Sequence, residues 1–291
     1  MSFTTDLHMT MPSKSGVTPF VMCADDYGMT PEISAGILKL ADQNRISATS
    51  VMSLSPHWPH WAPPLRELRG RVDAGLHLDW TSAFAVDEGF GKSLPLLMAL
   101  SALRLLRTSA IECAIERQLD LFETHFLAPP DHVDGHQHIH QFPVIREVLM
   151  RVLSRRYGAH DRPWIRIART TEAAASLKSQ VINAMGATAL KRLTIGYGFA
   201  HSDDLTGVYD FQGNAHLYSQ RLRNWLEHMP SNSVLMCHPG QGPCGLAPFA
   251  QARLWEQEVL QSEAFQTMLD NTQTTLVRGS ALFQRPDKLT P

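Results

Sequence analysis

Short apolar runs alternate with amphipathic stretches along this chain of 291 residues, and four of the runs stop at an acidic residue or a histidine. Phe20 to Ala24 runs into Asp25-Asp26. Asp73 to Trp80 carries His77. His132 to His140 holds four histidines and Asp134. Ser233 to Cys237 ends in His238-Pro239-Gly240. Strands alternating with helices call for a mostly parallel sheet covered on both faces. About seven or eight such strands favour closure, so the expected fold is α/β, a single (β/α) barrel-like domain. In that fold the carboxyl ends of the strands share one face, so chemistry-bearing residues far apart in sequence converge there.

The helices and remaining strands follow from local pattern. Thr30 is placed as an N-cap with Pro31 at the first helical position, and Ile33, Ile37, Leu40 and Ala41 follow at helical spacing. Ile46–Leu54 reads as a strand. Residues 110–126 read as an amphipathic helix with Ile111, Ile115, Leu119 and Phe122 on one stripe. Val144 to Val152 marks another helix. Trp164–Ala168 and Leu193–Tyr197 read as strands, and Ala215–His228 as a helix. A long helix is expected over much of 247–270, and Thr275–Phe283 as the last strand. Residues 1–17 are expected to be a flexible lead-in, 18–285 the barrel domain, and 83–109 a variable lid or insertion.

Composition narrows the class. A hydrophobic content of 44% supports a sizeable core, and a net charge of −2 offers no general attraction to nucleic acid or anionic membrane. The four cysteines (Cys23, Cys113, Cys237 and Cys244) form no C-x-x-C pair, which argues against a thiolate zinc site and against a disulfide framework. The N-terminus lacks an apolar run of signal-peptide length, and no apolar run is long enough to span a bilayer. The cytoplasm is therefore the expected compartment. Leu94 to Leu106 is apolar nearly all round. It is read as a buried helix or homodimer contact, with a wall for an apolar part of a substrate and membrane-surface association as alternatives.

Candidate chemistry sits at the strand ends. If residues 132–140 were one extended strand, His132, Asp134, His136, His138 and His140 would share a face. Imidazole and carboxylate are ligands for zinc and related ions, although a solvated histidine-rich strand end would read the same way. Asp25 and Asp26 would normally face opposite sides, but at a strand end the chain turns and both can reach a site. His77 and His238 are weak signals individually; the convergence of all four ends is the stronger one.

Ala24-Asp25-Asp26-Tyr27-Gly28, Gly75-Leu76-His77-Leu78, Asp134-Gly-His136-Gln-His138-Ile-His140 and Cys237-His238-Pro239-Gly240 appear in the order seen in the YdjC-like, or ChbG/HpnK, carbohydrate deacetylases, and the chain resembles that family from about residue 19 to 283. Tyr27 stands where a Phe is common. The resemblance implies a barrel related to the polysaccharide deacetylases and hydrolysis of an N-acetyl group from an amino sugar with one divalent metal. It implies Asp26, His77 and His136 as metal ligands, Asp25 as base and His238 as acid. His138 and His140 would touch substrate or support the ligand, and Arg166 would orient the base. Zn²⁺ suits one Asp and two His, with Mg²⁺, Mn²⁺ or Co²⁺ as alternatives. A lipid-linked amino sugar is one substrate the Leu-rich 94–106 segment suggests. The competing readings are a metal hydrolase of another amide or ester and a non-catalytic carbohydrate-binding relative.

Overall fold

The protein, a computed structural model, is described over residues 16–170, 183–242 and 249–283. All but the last two residues of the expected 1–17 lead-in lie outside these, as does Cys244. Eight parallel strands are β1 (Thr18–Tyr27), β2 (Ala48–Val51), β3 (Asp73–Leu78), β4 (His132–Gly135), β5 (Trp164–Ile165), β6 (Asp204–Thr206), β7 (Ser233–Cys237) and β8 (Thr274–Leu276). Their order is β5-β4-β3-β2-β1-β7-β6, and β8 pairs with the first residues of β1. The sheet curls until its edges approach: Ile165 of β5 bridges His201, just ahead of β6. The expected barrel-like α/β fold is thus present. β1 carries the core, with Phe20 to Ala24 wholly buried between β2 and β7.

Local chemistry explains the helices that frame the site. Thr30 caps helix Pro31–Asp42 as expected, its side chain accepting from the Ile33 N–H with Pro31 in the first turn. Helix Thr108–Phe126 buries Ile111, Ile115, Leu119 and Phe122, and its acidic outer residues pair with arginines of helix Ile145–Arg156. Arg155 reaches Glu112 and Glu116, and Arg156 reaches Glu116, Asp120 and Glu123.

Several elements differ from the sequence pattern. Leu193–Tyr197 is not a strand but lies in and just past helix Thr188–Gly196, where Leu190 and Thr194, four residues apart, form the buried face. The strand at 164–168 stops after Ile165. The long helix is two, Ala250–Gln261 and Glu263–Thr272, broken at the extended Ser262. The last strand stops at Leu276, and helix Gly279–Leu282 follows. The apolar 94–106 segment is not buried all round. Helix Leu94–Ala102 buries Leu97 and Ser101, while Leu96, Leu103 and Leu105 stand exposed.

The amino-terminal end of the barrel is closed by packing. Trp164 sits edge-on to Phe283 and donates its indole N–H to Asp73, which also accepts from the backbone and hydroxyl of Ser280. The carboxyl ends of the strands stay polar.

Candidate active site

Two adjacent aspartates reach one site because β1 carries an extra residue. Cys23 and Ala24 pair in register with Ala48 and Thr49, but Tyr27 pairs with Val51, so two residues of β1, Asp25 and Asp26, oppose the single Ser50 of β2 between these points. Asp26 absorbs the bulge with φ of 72°, a left-handed conformation that Asp tolerates better than most residues. Asp25 then faces the barrel interior and Asp26 the rim. Both are almost wholly buried.

Three strand ends bring together Asp26, His77 and His136. Asp26 Oδ1 lies 3.2 Å from His136 Nδ1 and 3.6 Å from His77 Nε2. One donor atom from each residue falls within 4.8 Å of the others. Asp26 Oδ1 makes no hydrogen bond of good geometry among the described residues. The other oxygen, Oδ2, accepts from the buried guanidinium of Arg253. Burial opposes ionisation of Asp26, but Arg253 and His136 outweigh it and hold its carboxyl well below the usual range.

Behind this cluster Asp134 fixes the imidazole of His77. His77 Nδ1 is 2.6 Å from Asp134 Oδ1, which leaves Nε2 turned to Asp26; a carboxylate on the far nitrogen is the usual device for orienting a ligating histidine. Burial disfavours charge on His77, yet Asp134 and Asp25 overcome it and push the ring up to about 9. Ser50 donates to Asp134 Oδ2, and Arg166 Nε lies 3.0 Å from that oxygen. Arg166 spends its two terminal nitrogens on Asp25, at 2.7 and 2.9 Å, a two-pronged grip with no solvent exposure. Arg166 therefore ties Asp25 to Asp134.

His238 stands on the opposite side of Asp25, its Nε2 4.0 Å from Asp25 Oδ2. Burial pushes its imidazole down to about 4. Its backbone N–H donates to the wholly buried Glu256, whose other oxygen accepts from Tyr209 at 2.6 Å. Burial raises Glu256 to about 7, despite the hydrogen bonds from Tyr209 and His238. Glu256 and Arg253 lie one turn apart on helix Ala250–Gln261, so one helix contacts both Asp26 and the His238 backbone. Phe211 packs edge-on to His238, with ring centroids 5.3 Å apart.

The family model described as YdjC-like protein matches residues 19–271. The chain belongs to the YdjC-like family. It is similar to a carbohydrate deacetylase of Xenopus laevis, 26% identical over 282 residues that span 83% of this chain and 91% of that one. A carbohydrate deacetylase of Danio rerio is 26% identical over 145 residues, 46% of each chain. A solved structure from Enterococcus faecalis, named for a proposed role in cellobiose-phosphate cleavage, superposes with a TM-score of 0.68 at 16% identity, covering 92% of this chain and all of that one. That likeness supports the fold.

Of the residues that the YdjC-like motifs single out, Asp25, Asp26, His77, His136 and His238 line one end of the barrel, with Arg166 beneath them. The single face expected for 132–140 does not form. β4 ends at Gly135, and Gln137 and His138 adopt left-handed conformations, so alternation is lost. His132 is wholly buried: it stacks on Trp164 at 4.4 Å and lies 3.0 Å from the Ser50 hydroxyl. Its paired residue on β3 is Gly75, where a Cβ would fall 2.2 Å from the imidazole, so a side chain there would displace the ring. His140 is equally buried, with Nε2 2.8 Å from the Arg166 carbonyl, which places it against the main chain of Arg166 instead of at the open face. His138 is also buried. Sequence pattern gave no hint of Arg253, Glu256, Ser50 or Phe211.

Proposed function

We propose that this chain is a metal-dependent hydrolase that removes the acetyl group from an N-acetylated amino sugar. The observation that carries the reading is Asp26 Oδ1, a buried carboxylate oxygen with no hydrogen bond of good geometry among the described residues, flanked by one nitrogen each of His136 at 3.2 Å and His77 at 3.6 Å. A buried carboxylate oxygen demands a partner, and an Asp-His-His donor set supplies three ligands while leaving coordination positions open. Zn²⁺ fits these donors best, with Mg²⁺, Mn²⁺ and Co²⁺ as alternatives. The carbohydrate deacetylases among its relatives supply the substrate class.

Asp26, His77 and His136 would hold a divalent ion, which would supply Lewis acidity to activate water and polarise the acetamide carbonyl. Asp25, fixed by Arg166, takes the proton from the attacking water. His238 passes a proton to the departing nitrogen, because an amide nitrogen leaves poorly unless protonated. An imidazole held near 4 is a strong acid once protonated, and Asp25 at 4.0 Å is the nearest carboxylate to reload it. Acetate and a free amine are the products. His140 serves by holding Arg166.

The test is acetate release across a panel of N-acetylated sugars, free and lipid-linked, with metal content measured on the same sample. We expect release from at least one sugar, loss of it on chelation, and recovery with a divalent ion. No release from any sugar, or release indifferent to chelation, would overturn the reading. A groove lined by Trp80, Leu97, Leu105 and Ile111 would favour the lipid-linked members; equal rates on both forms would remove that refinement alone.

A further inference from the structure

Two phenylalanines beside His238 share an uncommon backbone conformation. Phe211 has φ of 62° and Phe249 φ of 61°, and a bulky side chain in the left-handed region persists only where its surroundings impose it. The two rings stack face to face, with centroids 3.9 Å apart and planes within 17°. Phe211 is buried between Phe249 and His238, meeting the imidazole edge-on. Phe249 is 50% exposed. An apolar ring that exposed, held in a costly conformation, gains little for the core. The ladder His238–Phe211–Phe249 instead leads from the acid outward past the rim of the site.

We infer that the exposed ring of Phe249 is a platform for the pyranose ring of the substrate. The inference rests on the hydrolase reading above. The nitrogen protonated by His238 is attached directly to a sugar ring carbon, so the pyranose must lie next to His238 on the open side. A pyranose presents one face of C–H groups, which packs against an aromatic ring while its hydroxyls remain in water. Phe249 positions the sugar and is not a catalytic residue; its contribution falls on substrate binding.

The experiment uses Phe249→Gly and Phe249→Tyr in the full chain. Glycine is the residue best suited to φ of 61°, so Phe249→Gly keeps or improves thermal stability. We expect its KM for N-acetylated sugars to rise about tenfold, a loss of about 1.4 kcal/mol, with kcat within threefold and metal content unchanged. Phe249→Tyr, which retains the ring, stays within about twofold of wild type. Binding of N-acetylglucosamine and its β-1,4-linked disaccharide is measured in parallel by calorimetry, independently of turnover. Turnover in wild type with unchanged KM in Phe249→Gly overturns the platform and leaves the hydrolase reading intact. Tenfold weaker sugar binding in Phe249→Gly without turnover in wild type overturns the hydrolase reading and leaves the platform. Equal sugar affinity in wild type and Phe249→Gly, or no sugar binding by either, also overturns the platform.

Discussion

Asp73 and Asp26 are both buried aspartates on barrel strands, at opposite ends of the molecule, and their surroundings differ in kind. Asp73 begins β3 at the closed end and is saturated: Oδ2 accepts from the Trp164 indole at 3.0 Å and the Ser280 N–H at 2.7 Å, and Oδ1 from the Ser280 hydroxyl at 2.7 Å. Asp26 has one oxygen held by Arg253 and the other facing two imidazoles with no hydrogen bond of its own. A satisfied carboxylate joins elements of the fold. A half-satisfied one set between two imidazoles is held ready for something else. The barrel thus spends the same residue type on cohesion at one end and on chemistry at the other.

The contrast predicts that damage at the two ends separates into different readouts. The largest effect belongs to Asp25→Asn, which should retain the metal but lose on the order of 10²–10⁴ in acetate release; near-normal turnover would remove Asp25 as the base. Next is a matched pair. Asp73→Ala should cost on the order of 3–5 kcal/mol of stability, seen in denaturant unfolding, because it strips the partner from several buried donors, while metal affinity of the folded fraction is unchanged. His136→Ala should do the reverse, abolishing tight metal binding while stability of the metal-free protein changes by about 1 kcal/mol or less. Loss of metal in Asp73→Ala, or wild-type metal content in His136→Ala, breaks the division.

His140 sharpens it further, since it lies at the chemical end but behaves as a structural group. Burial holds its imidazole down at about 4, against an ordinary value of 6.5. Its folded form therefore resists protonation, and its stabilising contribution is fully present above 6.5 and is lost as pH falls toward 4. Across that interval of about 2.5 pH units the loss is on the order of 2–3 kcal/mol. His140→Gln, which can still donate to the Arg166 carbonyl, should lose correspondingly less stability between pH 6.5 and 4 than wild type. Identical acid limbs in the two proteins would place His140 elsewhere.

Much of this was legible in the chain. Asp25, Asp26, His77 and His238 could be read because each sits in or just after an apolar run, and parallel α/β geometry brings such ends together. Thr30-Pro31 announced its helix through capping chemistry that needs no tertiary context. What escaped depends on neighbours remote in sequence. Arg253 and Glu256 look like ordinary polar residues of an amphipathic helix, and only packing of that helix over β1 and β7 buries them. β6 is three residues long and begins with Asp204, too brief to show periodicity. Leu193–Tyr197 carries strand-like residues, but burial of Leu190 and Thr194 on one face overrides that preference. The histidine run misleads because alternation holds only while the backbone is extended, and it turns left-handed at Gln137.

The grip of Arg253 on Asp26 spans 227 residues of sequence, and this bears on how the protein is made. All three proposed metal donors have been synthesised once His136 emerges, more than a hundred residues before Arg253 and Glu256. Until helix Ala250–Gln261 docks, Oδ2 of Asp26 lacks its guanidinium partner and the backbone of His238 lacks its anchor. Arg253 and Glu256 follow every strand but β8 in the chain, so a ribosome-bound chain that already holds every proposed ligand still lacks the groups that fix Asp26 and the His238 backbone.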